Sequence, residues 1–338
     1  MKADGKHVVT LRTSVSTAVA CAAALLVFAF PTRAADAAAK DSQEWAPPRL
    51  ADGQPDIGGT WNNVHAIHIP LQRRKELRGK DVTAEERQVL VEKRSDFRKA
   101  IQWEGHENSG GVGAYANYWF DWYWEEPLAG DAPQLLIEPA SGVMPALTPQ
   151  AQESVAYHLE HLHDSYTTME AGDRCISRGI YGLMMPAAYN NGKMFFQTSD
   201  HLVILSEMIH NARIIPIDAG PHVDQDIELW EGDPRGHWEG NTLVVESANF
   251  RSVNNLRGPG SRAPQTRKRR VVERFTLVDA ETLRYELRVD DPGTYERAWS
   301  VAFSYKRDDA YQQYEYACHE GNYSVPNSLG GTRAEERR

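Results

Sequence analysis

The chain lacks a surplus of positive charge. Its 37 Lys and Arg residues are outnumbered by 47 Asp and Glu residues, and the formal net charge is −10. The first 34 residues carry four basic residues and one acidic residue, so their removal would take the net charge to −13. Nucleic acids and anionic membranes are themselves negatively charged, so this balance argues against both as partners.

Three catalytic signatures are also missing. The sequence has no His-Glu-x-x-His zinc motif, no glycine-rich phosphate loop ahead of a helix and no Gly-x-Ser-x-Gly turn. Nucleotide chemistry and the usual serine hydrolase chemistry therefore lack support. His158 with His161, and His65 with His68, each stand three positions apart. Zinc usually needs three converging protein ligands, so we expect no metal and no cofactor.

Long apolar runs are absent beyond the N-terminus. There, a basic start precedes the run VSTAVACAAALLVFAF, and small residues follow it. This pattern is typical of a signal peptide, with cleavage after Ala34 or Ala37, and the run is short for a membrane span. We predict a signal peptide at 1–34, a flexible leader at 35–54, and a periplasmic or secreted mature protein with no membrane span.

Cysteine is scarce, with three residues in the chain. Cys21 lies inside the apolar run, so Cys175 and Cys318 remain after export. In an oxidising compartment we expect these two to form one disulfide, and the alternative is two buried free thiols. Closing so long a loop would stabilise the fold by about 4–5 kcal/mol on the chain-entropy model.

The second half of the chain indicates a series of short strands. Segments such as HLVILSEMI and RRVVERFTLV alternate apolar and polar residues and are bounded by turn residues. The segment YQQYEYACH, at 311–319, is read as the last strand. The series predicts a mainly β fold, an antiparallel β-barrel or a sandwich, within a single domain at 55–335.

Two helices are expected at the periphery of this domain. In the first, at about 83–103, Thr83 and Glu86 have the spacing of a capping box, and charged residues cover most faces. The second, at about 148–163, has Pro149 in its first turn.

Glu207 is the first acid/base candidate. If His210 and Asn211 form a two-residue turn, Glu207 pairs with Ile214 and shares an apolar face with Leu205. A carboxyl group on such a face has a raised pKa and can serve as a general acid or base. The alternative is a structural carboxylate bridged to an arginine.

Three further residues are candidates for proton transfer. Glu273 lies on the same face of its strand as apolar residues, so its side chain is expected to point inward. It then forms either an acid/base pair with Glu207 or a buried ion pair with Arg213 or Arg297. Asp218 and His222 flank Gly-Pro on a loop, where they form either a proton-transfer dyad or a plain turn.

The segment YANYWFDWYWEE, at 115–126, holds seven aromatic residues, more than alternation can bury on one face. Some of them are therefore expected to form a ligand wall, and the alternative is that they build core. Polar residues just beyond Cys318 are expected at the mouth of the same pocket. The candidate ligand residues are Tyr118, Trp119, Asp121, Trp122, His319, Glu320 and Asn322.

Several segments together resemble a large family of exported, mostly uncharacterised proteins of Gram-negative bacteria. These include RCISRG, EMIHNARIIPID, WEGNTLVVE and YACHEGNY, and the resemblance covers nearly all of residues 50–335. It implies that YACHEGNY belongs to a family signature, and it implies no activity. Separately, Gly59-Thr60-Trp61 is similar to the Gly-x-Trp motif of lipocalins, which favours a barrel over a sandwich.

These observations predict an exported enzyme that acts on a hydrophobic or aromatic small molecule by cofactor-free acid/base chemistry, of the lyase, isomerase or hydratase type. One alternative is a lipocalin-like protein that binds an apolar ligand inside its barrel without catalysis. Another is an envelope interaction protein that docks through the 83–103 helix.

Overall fold

A computed structural model describes most of the chain after residue 44. The described residues are 45–108, 120, 121, 128, 130, 132–254, 256–258 and 261–338. The predicted signal peptide at 1–34 and the predicted ligand-wall residues Tyr118, Trp119 and Trp122 lie outside them.

The described part of the chain is mainly antiparallel β-structure. Its strands are β1 (Gly59–Asn62), β2 (Leu136–Glu138), β3 (Lys193–Gln197), β4 (His201–Ser206), β5 (Asn211–Pro216), β6 (Asp233–Glu239), β7 (Thr242–Ala248), β8 (Arg257–Gly258), β9 (Ser261–Arg262), β10 (Arg270–Asp279), β11 (Thr282–Asp290) and β12 (Trp299–Arg307).

Nine of these strands form a nearly closed barrel, in the order β5-β4-β3-β1-β12-β11-β10-β7-β6. The two end strands approach each other at a bridge between Ile217 and Gly236. β2 adds to β12, and β8 pairs with β9 in a separate ribbon. The structure confirms the predicted antiparallel barrel with peripheral helices, and of the two predicted architectures it is the barrel.

Four α-helices occur among the described residues: α1 (Ala84–Asn108), α2 (Pro149–Glu160), α3 (Gly179–Met184) and α4 (Ser324–Glu335). The predicted capping box of α1 is present, since the Glu86 amide donates to Thr83 Oγ1 at 3.2 Å and the Thr83 amide donates to Glu86 Oε2 at 2.9 Å. α2 begins as predicted, and α3 and α4 were not predicted. None of the described helices is both long and apolar enough to cross a lipid bilayer.

Two local predictions are wrong. Residues 311–319 form no strand; they follow β12 as an irregular segment. The β4–β5 connection is also longer than two residues, because Asn211 pairs with Ser206 and a 3-10 turn fills the space between them. Ile214 therefore pairs with Val203, and Glu207 lies in the turn instead of on the strand.

The barrel interior is filled by side chains. Tyr285 packs between Phe275 and Tyr305, with ring centroids 5.1 and 5.7 Å apart, and all three side chains are fully buried. Burial of such large rings supplies most of the hydrophobic stabilisation of a core. A cavity of about 30 Å³, which holds about one water molecule, lies next to Trp299. Any larger ligand site must be sought outside the barrel.

Cys175 and Cys318 form a disulfide, with their Cα atoms 5.7 Å apart. This confirms the predicted pairing and ties the chain after β12 to the loop that precedes α3.

Candidate functional site

A cleft of about 380 Å³ opens beside the barrel, between α1, the 3-10 helix Val64–His68 and the segment that contains α3. Its floor is apolar, and three arginine side chains face it from two separate elements. We call this site the arginine cleft; it is lined by Ala66, Ile67, Ile69, Leu71, Arg94, Arg98, Leu135, Arg178, Tyr181, Gly182, Met185, Pro186, Ala187 and Ala188. Its volume lies within the usual range of small-molecule sites.

The local sequence explains why two of the arginines share the cleft. Arg94 and Arg98 are four residues apart on α1, so their side chains leave the same face of the helix. Val91 and Ser95 of the same helix are buried, which turns this face towards the barrel. Arg178 immediately precedes α3 and reaches the cleft from the other side.

All three arginines are half-buried, and the pKa values of Arg94 and Arg98 are lowered. Burial, together with the positive charges of Arg98 and Arg74, lowers the pKa of the Arg94 guanidinium to about 10. Burial also lowers the pKa of Arg98. Among the described residues, no carboxylate lies within 4.0 Å of Arg94 or Arg178. Arg178 donates a long hydrogen bond, 3.5 Å, to Tyr189 Oη.

Two buried histidines lie on the 3-10 helix that forms the floor. His68 is fully buried, and neither ring nitrogen has a hydrogen-bond partner among the described residues. Burial, with the charges of Arg98 and Arg94, lowers its pKa to about 4. Burial and Lys306 lower the pKa of His65 to about 4 as well. Both rings are neutral at neutral pH, so the charge of the cleft comes from its arginines.

A cluster of polar side chains lies next to the arginine cleft. Residues 185–191, which include part of the cleft wall, separate this cluster from the cleft. Asp121 Oδ2 accepts hydrogen bonds from the Asn191 amide at 3.1 Å and from Asn191 Nδ2 at 2.8 Å. Lys193 Nζ is fully buried and donates to the Asn191 carbonyl at 3.2 Å. Burial lowers the pKa of Lys193 to about 8, although Glu207 and Asp121 act to raise it.

Glu207 belongs to this cluster and is 4% exposed. Its carboxylate accepts hydrogen bonds from Tyr311 Oη at 2.6 Å and from Asn190 Nδ2 at 2.5 Å. Burial raises the pKa of Glu207, and the two hydrogen bonds act against this shift. The predicted burial and raised pKa are present, although the predicted strand register that led to them is wrong. The predicted arginine partner is not among its hydrogen bonds to described residues.

Glu273 lies inside the barrel, as predicted, and is fully buried. Its carboxylate accepts two hydrogen bonds from Arg213, one of them at 2.9 Å, and another from Tyr285 Oη at 2.8 Å. Of the two roles predicted for Glu273, the geometry matches the buried ion pair with Arg213, and the packed barrel leaves no space beside it for a substrate.

Of the two arrangements predicted for Asp218 and His222, a dyad or a plain turn, the dyad is not formed among the described residues. Asp218 is exposed, and His222 Nδ1 lies 3.1 Å from Asp233 Oδ2 instead. Asp233 also accepts a hydrogen bond from Arg235 Nη1 at 2.7 Å. The two residues are close along the chain, and positive φ values at Asp218 and Gly220, 54° and 79°, shape the loop that joins them.

His319 and Glu320 are exposed in a turn, and neither lines the arginine cleft. Asn322 Nδ2 donates to the Asp173 carbonyl at 2.9 Å, which fastens the chain beside the disulfide. Of the predicted ligand residues that the structure describes, Asp121 is the one close to the cleft, since its amide donates to the carbonyl of Ala188, a cleft residue, at 3.0 Å.

The arginine cleft itself was not predicted. Two arginines four positions apart on a helix with charged residues on most faces were the available signal, but solvated charge on a helix face has the same pattern. No known protein-family model matches this chain, and no curated protein sequence matches it.

Proposed function

We propose that the protein binds a small organic anion with an apolar or aromatic body in the arginine cleft. The observation that carries the proposal is the convergence of Arg94, Arg98 and Arg178 over an apolar floor. A carboxylate, sulfonate or phosphate group would face the guanidinium groups, and the apolar body of the ligand would lie on the floor.

The electrostatics of the cleft favour an anion. Burial lowers the pKa values of Arg94 and Arg98, and repulsion by Arg98 and Arg74 adds to the shift at Arg94, so the charged form of these groups is disfavoured without an anion. A bound anion would replace the lost hydration and reduce the repulsion. Guanidinium groups also present a planar set of donors that matches carboxylate and phosphate oxygens.

The apolar floor favours an organic ligand over an inorganic ion. Ile67, Ile69, Leu135 and Met185 line the cleft beside the arginines. Their contact with an apolar body contributes roughly 25 cal/mol for each Å² removed from water. Inorganic phosphate would gain nothing from this surface.

Two dyes that share a ring system would test the proposal. Anilinonaphthalene sulfonate carries an anionic group, and phenylnaphthylamine is its neutral counterpart. We expect the sulfonate to bind one per chain, about tenfold more tightly than the amine, as measured by fluorescence titration. Arg94→Gln and Arg178→Gln should each remove this preference, because each deletes one of the facing charges.

Lys93→Gln is the matched control, since Lys93 is an exposed cation on the same helix and does not line the cleft. Equal affinities for the two dyes, or unchanged sulfonate binding in both arginine variants, would contradict the proposal.

A second candidate function is catalysis by acid/base chemistry, of the lyase, isomerase or hydratase type. The observation in its favour is the cluster of Asp121, Lys193 and Glu207 next to the cleft wall, because groups with shifted pKa values concentrate at active sites. Incubation of a small-molecule extract with a trace of protein, followed by mass spectrometry, distinguishes the two. Conversion in molar excess that Glu207→Gln abolishes supports catalysis, and stoichiometric depletion with unaltered release supports binding alone.

Export and the signal peptide at 1–34 are part of the same proposal. The Cys175–Cys318 disulfide supports them, because such bonds persist in oxidising compartments. The resemblance to exported proteins of Gram-negative bacteria stays a prediction.

A further inference from the structure

The chain after β12 crosses the outside of the barrel without joining the sheet. We call residues 308–323 the C-terminal strap. The buried apolar cluster formed by the described residues has its last member at Tyr305, and α4, which follows the strap, buries no side chain. Segments with so few buried contacts open locally at a lower free energy than the core does.

A few specific contacts hold the strap in place. Tyr311 Oη donates to Glu207 at 2.6 Å, and Gln313 Nε2 donates to the Leu205 carbonyl at 3.0 Å. Further along, His210 Nδ1 donates to the Tyr316 carbonyl at 2.8 Å. The disulfide at Cys318 then anchors the end of the strap covalently.

The strap covers the carboxyl group of Glu207. The Tyr311 ring lies against the backbone of Gly192, where a Cβ atom would stand 2.2 Å from the ring. Glycine at position 192 is therefore what allows the ring to close over this end of β3 and β4. With Tyr311 on one oxygen and Asn190 on the other, Glu207 is 4% exposed.

The turn that carries Glu207 is strained. Ile209 and His210 both have positive φ values, 57° and 40°, although neither is glycine. A β-branched residue in this region is a rare and costly conformation that persists only where the surrounding structure imposes it, and such residues cluster at functional sites. Here His210 is itself bound to the strap, so strap and turn are held together.

We propose that the C-terminal strap is a lid over Glu207, with the Cys175–Cys318 disulfide as its latch, and that it opens while the barrel stays folded. A dithiol would open the latch by thiol–disulfide exchange. The Cys175–Cys318 bond breaks and each cysteine sulfur gains one electron and one proton, while the dithiol gives up two electrons and two protons as its own sulfur atoms join in a cyclic disulfide. The lid does not depend on the arginine cleft; it concerns the acid/base candidate Glu207, whose exposure is measurable without any turnover.

Carboxyl labelling of the full-length protein tests the lid. The oxidised protein and the dithiothreitol-reduced protein would be treated briefly with a water-soluble carbodiimide and an amine, then digested for peptide mass spectrometry. We expect labelling of Glu207 to rise about tenfold or more on reduction. Glu273, inside the barrel, should stay unlabelled in both samples, and Glu246, exposed on β7, should be labelled equally in both.

Protection of Glu207 that survives reduction would overturn the proposal. So would joint labelling of Glu207 and Glu273, which would mean that the strap opens only when the barrel unfolds. Tyr311→Phe provides a second test with the disulfide intact, and it should raise labelling of Glu207 by a smaller factor. Binding of the sulfonate dye to the same samples tests the arginine cleft separately. If the cleft binds anions, reduction should leave its affinity for the dye unchanged, whether or not the lid opens.

Discussion

Arginine side chains are buried or half-buried in two regions of this protein, and their charges are neutralised in one region and not in the other. Inside the barrel, Arg213 faces Glu273, whose carboxylate is also bound by Tyr285. In the arginine cleft, Arg94 and Arg178 have no carboxylate within ion-pair distance among the described residues. The first charge is neutralised within the fold and serves its stability. The second has no such counter-charge among the described residues, which is why the proposed ligand site is the cleft and not the barrel.

The largest expected effect comes from breaking the neutralised charge. Glu273→Gln should lower the free energy of unfolding by about 3–5 kcal/mol, because it leaves Arg213 buried without a counter-charge. Urea denaturation measures this loss. The double variant Arg213→Met with Glu273→Leu should recover most of it, since neither charge remains.

Glu246→Gln is the control for this prediction, because Glu246 is exposed on the neighbouring strand β7, and it should change stability by less than about 0.5 kcal/mol. If the single variant Glu273→Gln has only a small effect on stability, then Arg213 does not need its counter-charge, and the barrel does not differ from the cleft in this respect.

The next effect is the loss of stability in acid, which arises from the two buried histidines on the floor of the cleft. His65 and His68 have pKa values of about 4 in the folded protein and about 6.5 when unfolded. The unfolded chain therefore binds protons first as the pH falls, so stability is complete above pH 6.5 and declines towards pH 4. Each histidine should account for about 2–3 kcal/mol of loss by pH 4.5.

The measurement is the pH dependence of the unfolding free energy in wild type and in His68→Asn, whose curve should be flatter between pH 6.5 and pH 4.5. His319→Asn, at an exposed position in a turn, serves as the control. Identical slopes in all three proteins would rule out a neutral, buried His68.

The smallest expected effect is the change in stability when an arginine of the arginine cleft is replaced. Arg94→Gln should change the free energy of unfolding by less than about 0.5 kcal/mol, because the lost packing is offset by relief of repulsion from Arg98 and Arg74. Sulfonate dye should then raise the melting temperature of the wild type more than that of the variant, because tighter binding to the folded state adds more stability.

A differential melting scan with and without dye gives both readings. A loss above about 1 kcal/mol in Arg94→Gln would make Arg94 a structural residue and would weaken the contrast with Arg213.

The strands were predictable because their signal is local. In RRVVERFTLV, Val271, Glu273, Phe275 and Leu277 alternate with exposed or half-buried residues, and all four are buried on the barrel side. The same signal failed at 311–319, where alternation is present but the chain meets no free strand edge. Pairing requires a neighbouring edge, and no pattern within nine residues contains that information.

The candidate sites were less predictable. The raised pKa of Glu207 was inferred from a strand register that the structure does not have, and its burial comes from Tyr311, 104 positions away. Arg94 and Arg98 share a helix face that can be read from their spacing. Arg178 and the floor residue Leu135 reach the same cleft only through the fold.

The sequence by itself determined the strands of the barrel, the capped start of α1 at Thr83 and the pairing of Cys175 with Cys318, because each follows from spacing along the chain or from a count. Tertiary structure alone decided which charges would be neutralised. Arg213 and Glu273 are 60 positions apart and meet inside the barrel, whereas Arg94 and Arg178 meet over an apolar floor with no carboxylate within ion-pair distance among the described residues. Neutralisation of a charge depends on distance in space, which the closing of the sheet decides.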